Sequence, residues 1–361
     1  MFYENIVVGA GLAGSTIARL LADKGEKVLI IDKRNHIAGN TYDYSDENNI
    51  LVQQYGPHIF HTNNDEVWEF LSRFTEWNDY QHKVLAHVDG KNVPVPINLE
   101  TVRLLYGKEF TSEELQAFFD SKKTEITEIK NSKDVVISKV GEDLYNKIFR
   151  NYTKKQWGVY PEELEPEVLA RVPVRTNNDS RYFTDKYQGM PLKGYTYLVQ
   201  KMLDHPKITI LLNTDYKKIK NKTKYERLIY TGCIDEFFDF KFGRLPYRCL
   251  EFEKETHDVE FYQENSVINF PNECEYTRIT EFKHWTYQKA PNTIIMKEYP
   301  KAEGNPCYPV PQKQNRELYE KYNEEAKKLK NVFFAGRLGS YRYINMDKVV
   351  EESMNLFRII F

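Results

Sequence analysis

The sequence has few cysteines, and their spacing argues against a metal site or a disulfide scaffold. The four cysteines, Cys233, Cys249, Cys274 and Cys307, are far apart, and no two of them form a CxxC pair. Zinc sites and disulfide-rich folds depend on closely spaced or paired cysteines. We therefore predict no bound metal, and we expect all four cysteines to be small buried hydrophobic residues.

An excess of positive charge and a long apolar run are also missing. The 51 basic residues are balanced by 53 acidic ones, so no general field favours nucleic acid or an anionic membrane. No apolar run approaches the length that spans a bilayer. Residues 1–5 lead directly into an apolar segment and leave no space for a leader peptide. We expect a cytoplasmic protein without a nucleic-acid partner or a membrane span.

The beginning of the chain has a glycine fingerprint between a predicted strand and a predicted helix. Gly9, Gly11 and Gly14 follow an apolar run, and a second apolar run ends in Asp32. In a dinucleotide-binding βαβ unit these glycines make the turn, admit the pyrophosphate and let helix and strand pack closely. An acid about 20 residues further on binds the ribose hydroxyls. The pattern predicts an NAD or FAD site and disfavours NADP.

Two further segments favour FAD over NAD. Residues 33–40 form a basic, glycine-containing loop that suits a second phosphate-facing turn. Near the other end of the chain, the apolar strand pattern 332–335 leads into a glycine turn at Gly336 and Arg337. A second GxGxxG motif is missing, which argues against a built-in NAD(P)H domain. We therefore expect FAD as the cofactor.

The pattern of elements predicts an α/β fold in which a Rossmann-like FAD-binding domain accompanies an inserted helical domain and an antiparallel β-sheet domain. Alternating apolar segments between 245 and 300 predict the antiparallel strands. Asn63 and Glu66 form the predicted capping pair of a helix over 63–74, and Thr111 begins a capping box. The predicted boundaries are 1–77, 190–244 and 313–361 for the FAD-binding domain, 98–189 for the helical domain, and 78–97 with 245–312 for the sheet domain.

Three groups of residues have side chains suited to a reaction site. His58 and His61 lie where a flavin ring is expected, although either could be a packed core residue, and a metal site would need a third ligand. The flat rings of Tyr152 and Trp157 suit stacking on a base, or core packing at a helix end. Arg171, Arg175 and Arg278 offer the planar cations that a diphosphate requires, although arginines are often merely solvated.

In this order the motifs resemble those of the bacterial UDP-galactopyranose mutases over nearly the whole chain. The segments that carry the resemblance lie within 9–11, 32–37, 55–62, 152–158, 173–175, 185–189, 231–235, 276–279, 297–300 and 336–338. The resemblance implies an isomerase that interconverts pyranose and furanose nucleotide sugars, UDP-galactopyranose by default, without net oxidation. It implies that reduced FAD attacks the anomeric carbon through N5, that NAD(P)H or another reductant is needed, and that the protein is a homodimer in cell-surface polysaccharide synthesis.

The resemblance also implies roles for individual residues. Arg171 and Arg278 would hold the diphosphate, with Tyr182, Tyr308 and Tyr343 donating to it. Tyr152 would stack on the base near Gln156 and Asn269, and Trp157 would line the sugar pocket. The implied catalytic residues are Arg171, Arg278, His61, Tyr343 and Asn345. The expected cofactor-binding residues are Gly9, Gly11, Leu12, Ala13, Gly14, Asp32, Lys33, Gly39, Asn40, His58, Ile59, His61, Gly336, Arg337, Asn345 and Met346.

Several positions depart from the family pattern near the expected sugar pocket. Asn345 stands where the family usually has Asp, and it could equally serve as a helix N-cap. Residues 81–84 replace a typical Asn-Ser-Pro run, 176–181 replace a more aromatic stretch, and Cys307 replaces a tyrosine. The same reaction on dTDP-fucopyranose or another galacto-configured sugar is therefore an alternative. More distant alternatives are a flavin oxidase or desaturase, and a binding module that has lost its flavin.

Overall fold

Buried β-branched runs form the centre of the molecule. The computed structural model describes residues 2–220 and 223–361. The run Val28–Ile31 is buried at every position, as expected for a strand that is covered on both faces. The strands are β1 (Phe2–Val8), β2 (Val28–Ile31), β3 (Asp43–Ser45), β4 (Leu51–Gln53), β5 (Phe60–Thr62), β6 (Val84–Val88), β7 (Lys91–Val95), β8 (Tyr187–Gly189), β9 (Ile208–Leu211), β10 (Lys224–Tyr230), β11 (Tyr247–His257), β12 (Val267–Asn269), β13 (Arg278–Glu281), β14 (Thr293–Lys301), β15 (Pro306–Pro309) and β16 (Val332–Phe334).

The helices lie between and around these strands. They are α1 (Leu12–Asp23), α2 (Asp65–Ser72), α3 (Leu99–Tyr106), α4 (Ser112–Lys122), α5 (Ser132–Leu144), α6 (Asn151–Trp157), α7 (Glu167–Ala170), α8 (Gly194–Leu203), α9 (Tyr216–Ile219), α10 (Ile234–Phe237), α11 (Lys283–Thr286), α12 (Lys313–Ala326), α13 (Gly336–Gly339) and α14 (Met346–Ile360). Short 3₁₀ turns span Gly39–Thr41 and Pro161–Glu163, and a π-helical segment, Tyr145–Arg150, joins α5 to α6. None of the helices within the described ranges is long and apolar enough to cross a bilayer.

A five-stranded parallel sheet forms the nucleotide-binding part of the fold. Its strand order is β16, β10, β1, β2 and β9, and every neighbouring pair is parallel. Helix α1 connects β1 to β2, which is the predicted βαβ unit. The predicted Rossmann-like α/β fold is confirmed, and the last strand and helix return to this sheet as expected.

A seven-stranded sheet forms the second layer, in the order β15, β11, β14, β13, β12, β6 and β7. Five of the six neighbouring pairs are antiparallel, but β12 pairs with β6 in parallel. The predicted antiparallel sheet is therefore confirmed for five pairs, and the parallel pairing of β12 with β6 is a feature that the sequence analysis did not predict. Alternating apolar residues specify which face of a strand is buried, but they do not specify the direction of a distant partner strand.

Helices α3 to α7 lie between β7 and β8, where the sequence predicts a helical insertion. The predicted capping box at Thr111 and Glu114 is present. Gly141 interrupts α5 with a φ of 80°, and a Cβ there would lie 2.2 Å from the carbonyl oxygen of Lys122. The residue numbers given for the domain boundaries stay a prediction. The predicted boundaries assign β5 and β8 to different domains, although these two strands pair with each other.

Two local predictions need correction. The N-cap of α2 is Asn64, whose side chain accepts from the backbone N–H groups of Glu66 and Val67. Asn63 instead accepts from the backbone N–H of Lys186, because two adjacent asparagines offer the same chemistry and tertiary contacts decide between them. Cys233, Cys249 and Cys307 are buried as expected, whereas Cys274 is only half-buried.

Candidate functional site

Two adjoining cavities lie beside the parallel sheet. We call the first the sheet-edge cleft; it has a volume of about 240 Å³ and lies where β1, β2, β10 and β16 end. We call the second the arginine cavity; it has a volume of about 250 Å³ and contains Arg171 and Arg278. The carboxyl edge of a parallel sheet is the usual ligand site in doubly wound folds. The residues that line both cavities are Asn40, His58, Cys307, Arg337 and Met346.

The glycines of the sheet-edge cleft have the geometry that the fingerprint predicts. Gly9 has a φ of 106°, and a Cβ on Gly14 would lie 2.0 Å from the carbonyl oxygen of Gly9. A Cβ on Gly11 would meet only the Cα of Gly39, at 3.6 Å. The space at Gly11 is therefore open beside the N-terminus of α1, where a pyrophosphate binds favourably.

Asp32 lies at the end of β2, on the wall of the same cleft. Its Oδ2 accepts from the backbone N–H of Ala10 at 2.8 Å, and its Oδ1 accepts from that of Arg34 at 2.9 Å. These bonds fix the carboxylate while its remaining lone pairs can accept from ribose hydroxyls. The open glycine turn and the fixed acid together fit a dinucleotide such as FAD.

Most of the expected cofactor-binding residues line the sheet-edge cleft. They are Gly9, Gly11, Leu12, Ala13, Asp32, Lys33, Gly39, Asn40, His58, Gly336, Arg337 and Met346. Gly14 packs beneath the turn, and Ile59, His61 and Asn345 line the arginine cavity instead. Thr214 and Thr231 also line the cleft but were not selected from the sequence. Thr231 lies in a segment that carries the family resemblance, which could have indicated it, whereas Thr214 has no distinctive pattern.

All of the expected substrate-binding residues line the arginine cavity. They are Tyr152, Gln156, Trp157, Arg171, Tyr182, Asn269, Arg278, Tyr308 and Tyr343. Asn269 Oδ1 is buried and has no hydrogen-bond partner among the described residues. A buried amide oxygen without a partner is costly, so this atom is available to a donor on a ligand.

The side chain of Arg278, on β13, lies next to a carboxylate on the neighbouring strand β14. Its Nη2 donates to the hydroxyl of Tyr152 at 2.6 Å, and its Nε lies 3.5 Å from Oε1 of Glu298 on β14. Burial is the largest single influence and would lower the pKa of Arg278, but Glu298 and the neighbouring tyrosines together outweigh it and the pKa is raised. Arg278 therefore stays charged inside the cavity.

Tyr343 lies among three cations. The guanidinium carbons of Arg171 and Arg337 lie 4.9 and 5.6 Å from the centre of its ring. Burial would raise the pKa of Tyr343, but Arg171, Arg337 and Arg278 outweigh it and the pKa is lowered. This concentration of positive charge is suited to an anion such as a diphosphate.

His61 stands beside an aromatic and a carboxylate on the wall of the cavity. Its Nδ1 lies 3.1 Å from Oδ2 of Asp185, and its ring stacks on Phe183 with centroids 3.5 Å apart. Burial lowers the pKa of His61, although the charge of Asp185 acts in the opposite direction. The carboxylate fixes the orientation of the imidazole.

Two further predictions are decided by geometry. Asn345 occupies the N-cap position of α14, but its side chain makes no capping hydrogen bond, so the capping alternative is wrong for this side chain. Arg175 donates to the carbonyl oxygens of Asp179 and Arg181, and it does not line either cavity. Its role is structural.

Sequence reasoning did not select three residues that line the arginine cavity. His82, Phe183 and Glu298 all face it. Glu298 lies in one of the segments that carry the family resemblance, which could have indicated it. His82 lies in a segment that differs from the family pattern, and Phe183 lies outside the segments that carry the resemblance. Only their tertiary placement therefore indicates a role.

Comparisons with known proteins agree with this geometry. A sequence model of UDP-galactopyranose mutase matches residues 147–343, and one of an NAD(P)-binding Rossmann-like domain matches residues 7–74. The chain is 39% identical over 356 residues to a probable UDP-galactopyranose mutase from Klebsiella pneumoniae, covering 97% of this chain and 92% of that one. It is 38% identical to a dTDP-fucopyranose mutase from Escherichia coli, covering 97% and 96% of the two chains.

Solved structures give the same fold. The crystal structure of a reduced UDP-galactopyranose mutase superimposes with a TM-score of 0.78 over 99% of this chain and 95% of that one, at 16% identity. A putative protoporphyrinogen oxidase from Exiguobacterium superimposes with a TM-score of 0.70 at 10% identity. At these identities the likeness concerns the fold alone.

Proposed function

Because the chain belongs to the UDP-galactopyranose mutase family and is therefore an isomerase, we propose that it interconverts UDP-galactopyranose and UDP-galactofuranose in the arginine cavity. The observation that supports this most directly is the contact between the two cavities. A cationic cavity suited to a diphosphate shares a wall with a cleft suited to FAD. A nucleotide sugar in the first would meet a flavin in the second.

The residues of the sheet-edge cleft would hold the cofactor. Gly9 and Gly11 would admit the pyrophosphate, and Asp32 would bind the adenosine ribose. When bound in its reduced state, FAD supplies N5 as a nucleophile toward the anomeric carbon. We propose NAD(P)H as the reductant, which the kinetics of flavin reduction would test. We propose a homodimer as the assembly, which light scattering would test.

Arg171 and Arg278 would act on the diphosphate. The bond between the anomeric carbon of the sugar and the diphosphate oxygen must break and form again, so negative charge develops on the leaving diphosphate. Cations placed in advance stabilise that charge without reorganising. They also retain the leaving group for the return step, and Tyr308, Tyr182 and Tyr343 would donate to its oxygens.

The remaining residues would orient the two ends of the substrate. Tyr152 would stack on the base, with Asn269 and Gln156 nearby. Trp157 contacts the rings of Tyr308 and Tyr343 edge to face, with centroids 5.1 and 5.0 Å apart, and would bound the sugar pocket. His61, fixed by Asp185, would face the flavin.

The same reaction on dTDP-fucopyranose is the second candidate. The relative with that activity is 38% identical, against 39% for the galactopyranose relative, so overall similarity does not separate them. The specific observation in its favour is Asn345. Its side-chain amide makes no capping hydrogen bond and lines the cavity, at a position where the family usually has a carboxylate.

The decisive experiment is an anaerobic product analysis. The purified holoenzyme, reduced with dithionite, is mixed with UDP-galactopyranose or with dTDP-fucopyranose, and the products are separated and identified by NMR. We expect a furanose product with reduced enzyme and almost none with oxidised enzyme. Equal turnover by the oxidised enzyme would contradict the role of reduced FAD, and absence of any furanose product would contradict the proposed function.

A further inference from the structure

His82 occupies a position in the arginine cavity that the proposed function has not used. It precedes β6, its side chain is only 6% exposed, and it lines the cavity. Its backbone carbonyl accepts from the N–H of Tyr182 at 2.7 Å, which ties the segment to a neighbouring cavity residue. The backbone at His82 is therefore held in place.

The location of His82 follows from an aromatic stack. Phe183 stacks with two histidines: its ring centroid is 3.5 Å from that of His61 and 5.9 Å from that of His82. The proposed function places His61 at the flavin. His82 therefore lies at the end of the cavity where the sugar would meet the cofactor, one ring removed from it.

Hydrogen bonds around Tyr80 determine which nitrogen of His82 carries the proton. The Tyr80 hydroxyl lies 3.1 Å from Nδ1 of His82 and 2.6 Å from Oγ of Ser266, and it also accepts from the backbone N–H of Lys83. Within the described ranges, the Ser266 hydroxyl has no acceptor other than Tyr80. Ser266 is only 1% exposed, so its hydroxyl hydrogen is satisfied only if Ser266 donates to Tyr80. Tyr80 then donates to Nδ1 of His82.

This arrangement leaves the proton of the neutral imidazole on Nε2. Burial lowers the pKa of His82 to about 3, and the positive charge of Arg278 acts in the same direction. The ring is therefore neutral at physiological pH. Nε2 has no hydrogen-bond partner among the described residues, so an N–H donor stands without an acceptor in a cavity wall. This N–H can donate to an acceptor on a ligand in the cavity.

We propose that His82 determines sugar specificity by donating from Nε2 to a hydroxyl oxygen of the hexose in the bound nucleotide sugar. The inference rests on the proposed function, because it uses the flavin to define the sugar end of the cavity. Ser266 and Tyr80 position the ring by fixing its tautomer. The diphosphate has its own cations in Arg171 and Arg278 and does not need this donor.

The test compares binding of a nucleotide sugar with binding of its nucleotide alone. Calorimetry on oxidised holoenzyme gives dissociation constants for UDP-galactopyranose and UDP, and for dTDP-fucopyranose and dTDP. The variants are His82→Phe, which removes the donor, and His82→Asn, which keeps an amide donor. His87→Phe is the matched control, because His87 lies on the following strand β6, bonds to Asn92 and is not among the residues that line the cavity.

We expect His82→Phe to weaken binding of the preferred nucleotide sugar about tenfold, the size of one hydrogen bond to a neutral group. Binding of the bare nucleotide should change less than twofold, and His82→Asn should restore most of the loss. Equal weakening of sugar nucleotide and nucleotide, or no weakening of either, would overturn the proposal. An altered flavin absorption spectrum with unchanged sugar affinity would also overturn it, because the donor would then serve the cofactor.

Two controls separate this proposal from the proposed function. Flavin content and thermal unfolding show whether each variant is folded, and His82→Leu replaces His82→Phe if the larger ring prevents folding. Wild-type holoenzyme that binds neither nucleotide sugar would contradict the proposed function itself. Wild-type enzyme that binds one of them while the His82 variants bind it equally well would contradict only the role of His82.

Discussion

Glu298 lies directly opposite Arg278 across β13 and β14, with Oε1 of the glutamate 3.5 Å from Nε of the arginine. Glu298 is only 3% exposed, and Arg278 is its one ion-pair partner within the described ranges. The arginine that would bind a diphosphate is thus also the residue that neutralises a buried carboxylate. Arg171 has no acidic partner among the described residues and is exposed at the cavity.

Replacing the two arginines should therefore have different effects. Arg171→Ala and Arg278→Ala should each weaken UDP binding by about 30-fold or more, since losing a cation from a desolvated pair costs roughly 2 to 5 kcal/mol. Only Arg278→Ala should also lower the free energy of unfolding in urea, because it leaves Glu298 buried and unpaired. The double variant Arg278→Ala/Glu298→Gln should regain stability without regaining affinity. Equal stability of both single variants would show that the ion pair has no structural role.

The glycines of the fingerprint should also separate folding from cofactor binding. In Gly14→Ala the new Cβ would lie 2.0 Å from the carbonyl oxygen of Gly9, so helix α1 cannot keep its position and the melting temperature should fall. In Gly11→Ala the nearest atom is 3.6 Å away, so the protein should fold normally but bind FAD poorly. Differential scanning fluorimetry and flavin absorbance measure the two effects. Full flavin occupancy in Gly11→Ala would place the pyrophosphate elsewhere.

Stability should fall in mild acid because of buried neutral histidines. Burial lowers the pKa of His82 to about 3 and that of His58 to about 4. Between those values and the ordinary pKa near 6.5, the unfolded chain binds protons that the folded chain does not. The free energy of unfolding therefore falls as pH falls, by about 1.4 kcal/mol per pH unit for each such histidine.

Urea unfolding at pH 7, 6 and 5 measures this dependence, and His82→Asn isolates one contribution. The variant should show a shallower loss of stability between pH 6 and pH 5 than wild type. Parallel pH profiles would show that His82 keeps an ordinary pKa in the folded protein.

Asn345 should influence the choice of sugar. Asn345→Asp replaces an amide with an acceptor-only group, which changes the hydroxyls that the site can satisfy. We expect the ratio of kcat/KM for UDP-galactopyranose to that for dTDP-fucopyranose to rise by about tenfold or more, because a site that bonds a hydroxyl rejects an analogue without it. Steady-state kinetics on the reduced enzyme measure the ratio. An unchanged ratio would mean that Asn345 does not contact the sugar.

The sequence allowed prediction of the parts of the fold that depend on local pattern. The turn at Gly9 and the capping box at Thr111 follow from neighbouring residues. The parallel pairing of β6 with β12 could not be predicted, because it joins residues such as Leu85 and Ile268 that are far apart in sequence. Local preference does not specify such a partner.

The candidate site was predictable to a similar extent. The residues expected to bind the diphosphate and base, such as Arg278 and Tyr152, do line one cavity. Their side-chain chemistry made them candidates, and the family resemblance gave them their expected roles. His82 had no such signal, since its significance depends on Tyr80 and Ser266 folding against it. That the side chain of Asn345 does not cap α14 was equally unpredictable, because asparagine at the N-cap position ordinarily bonds to the first turn of the helix.

The wall shared by the two cavities has a thermodynamic consequence. His58, Arg337 and Met346 face both of them, so a ligand in one cavity changes the surroundings of a ligand in the other. Such coupling is reciprocal by linkage: whatever factor FAD contributes to nucleotide affinity, the nucleotide contributes to FAD retention. If the nucleotide tightens FAD binding across this wall, the proposed flavin would be retained longest at high substrate concentration.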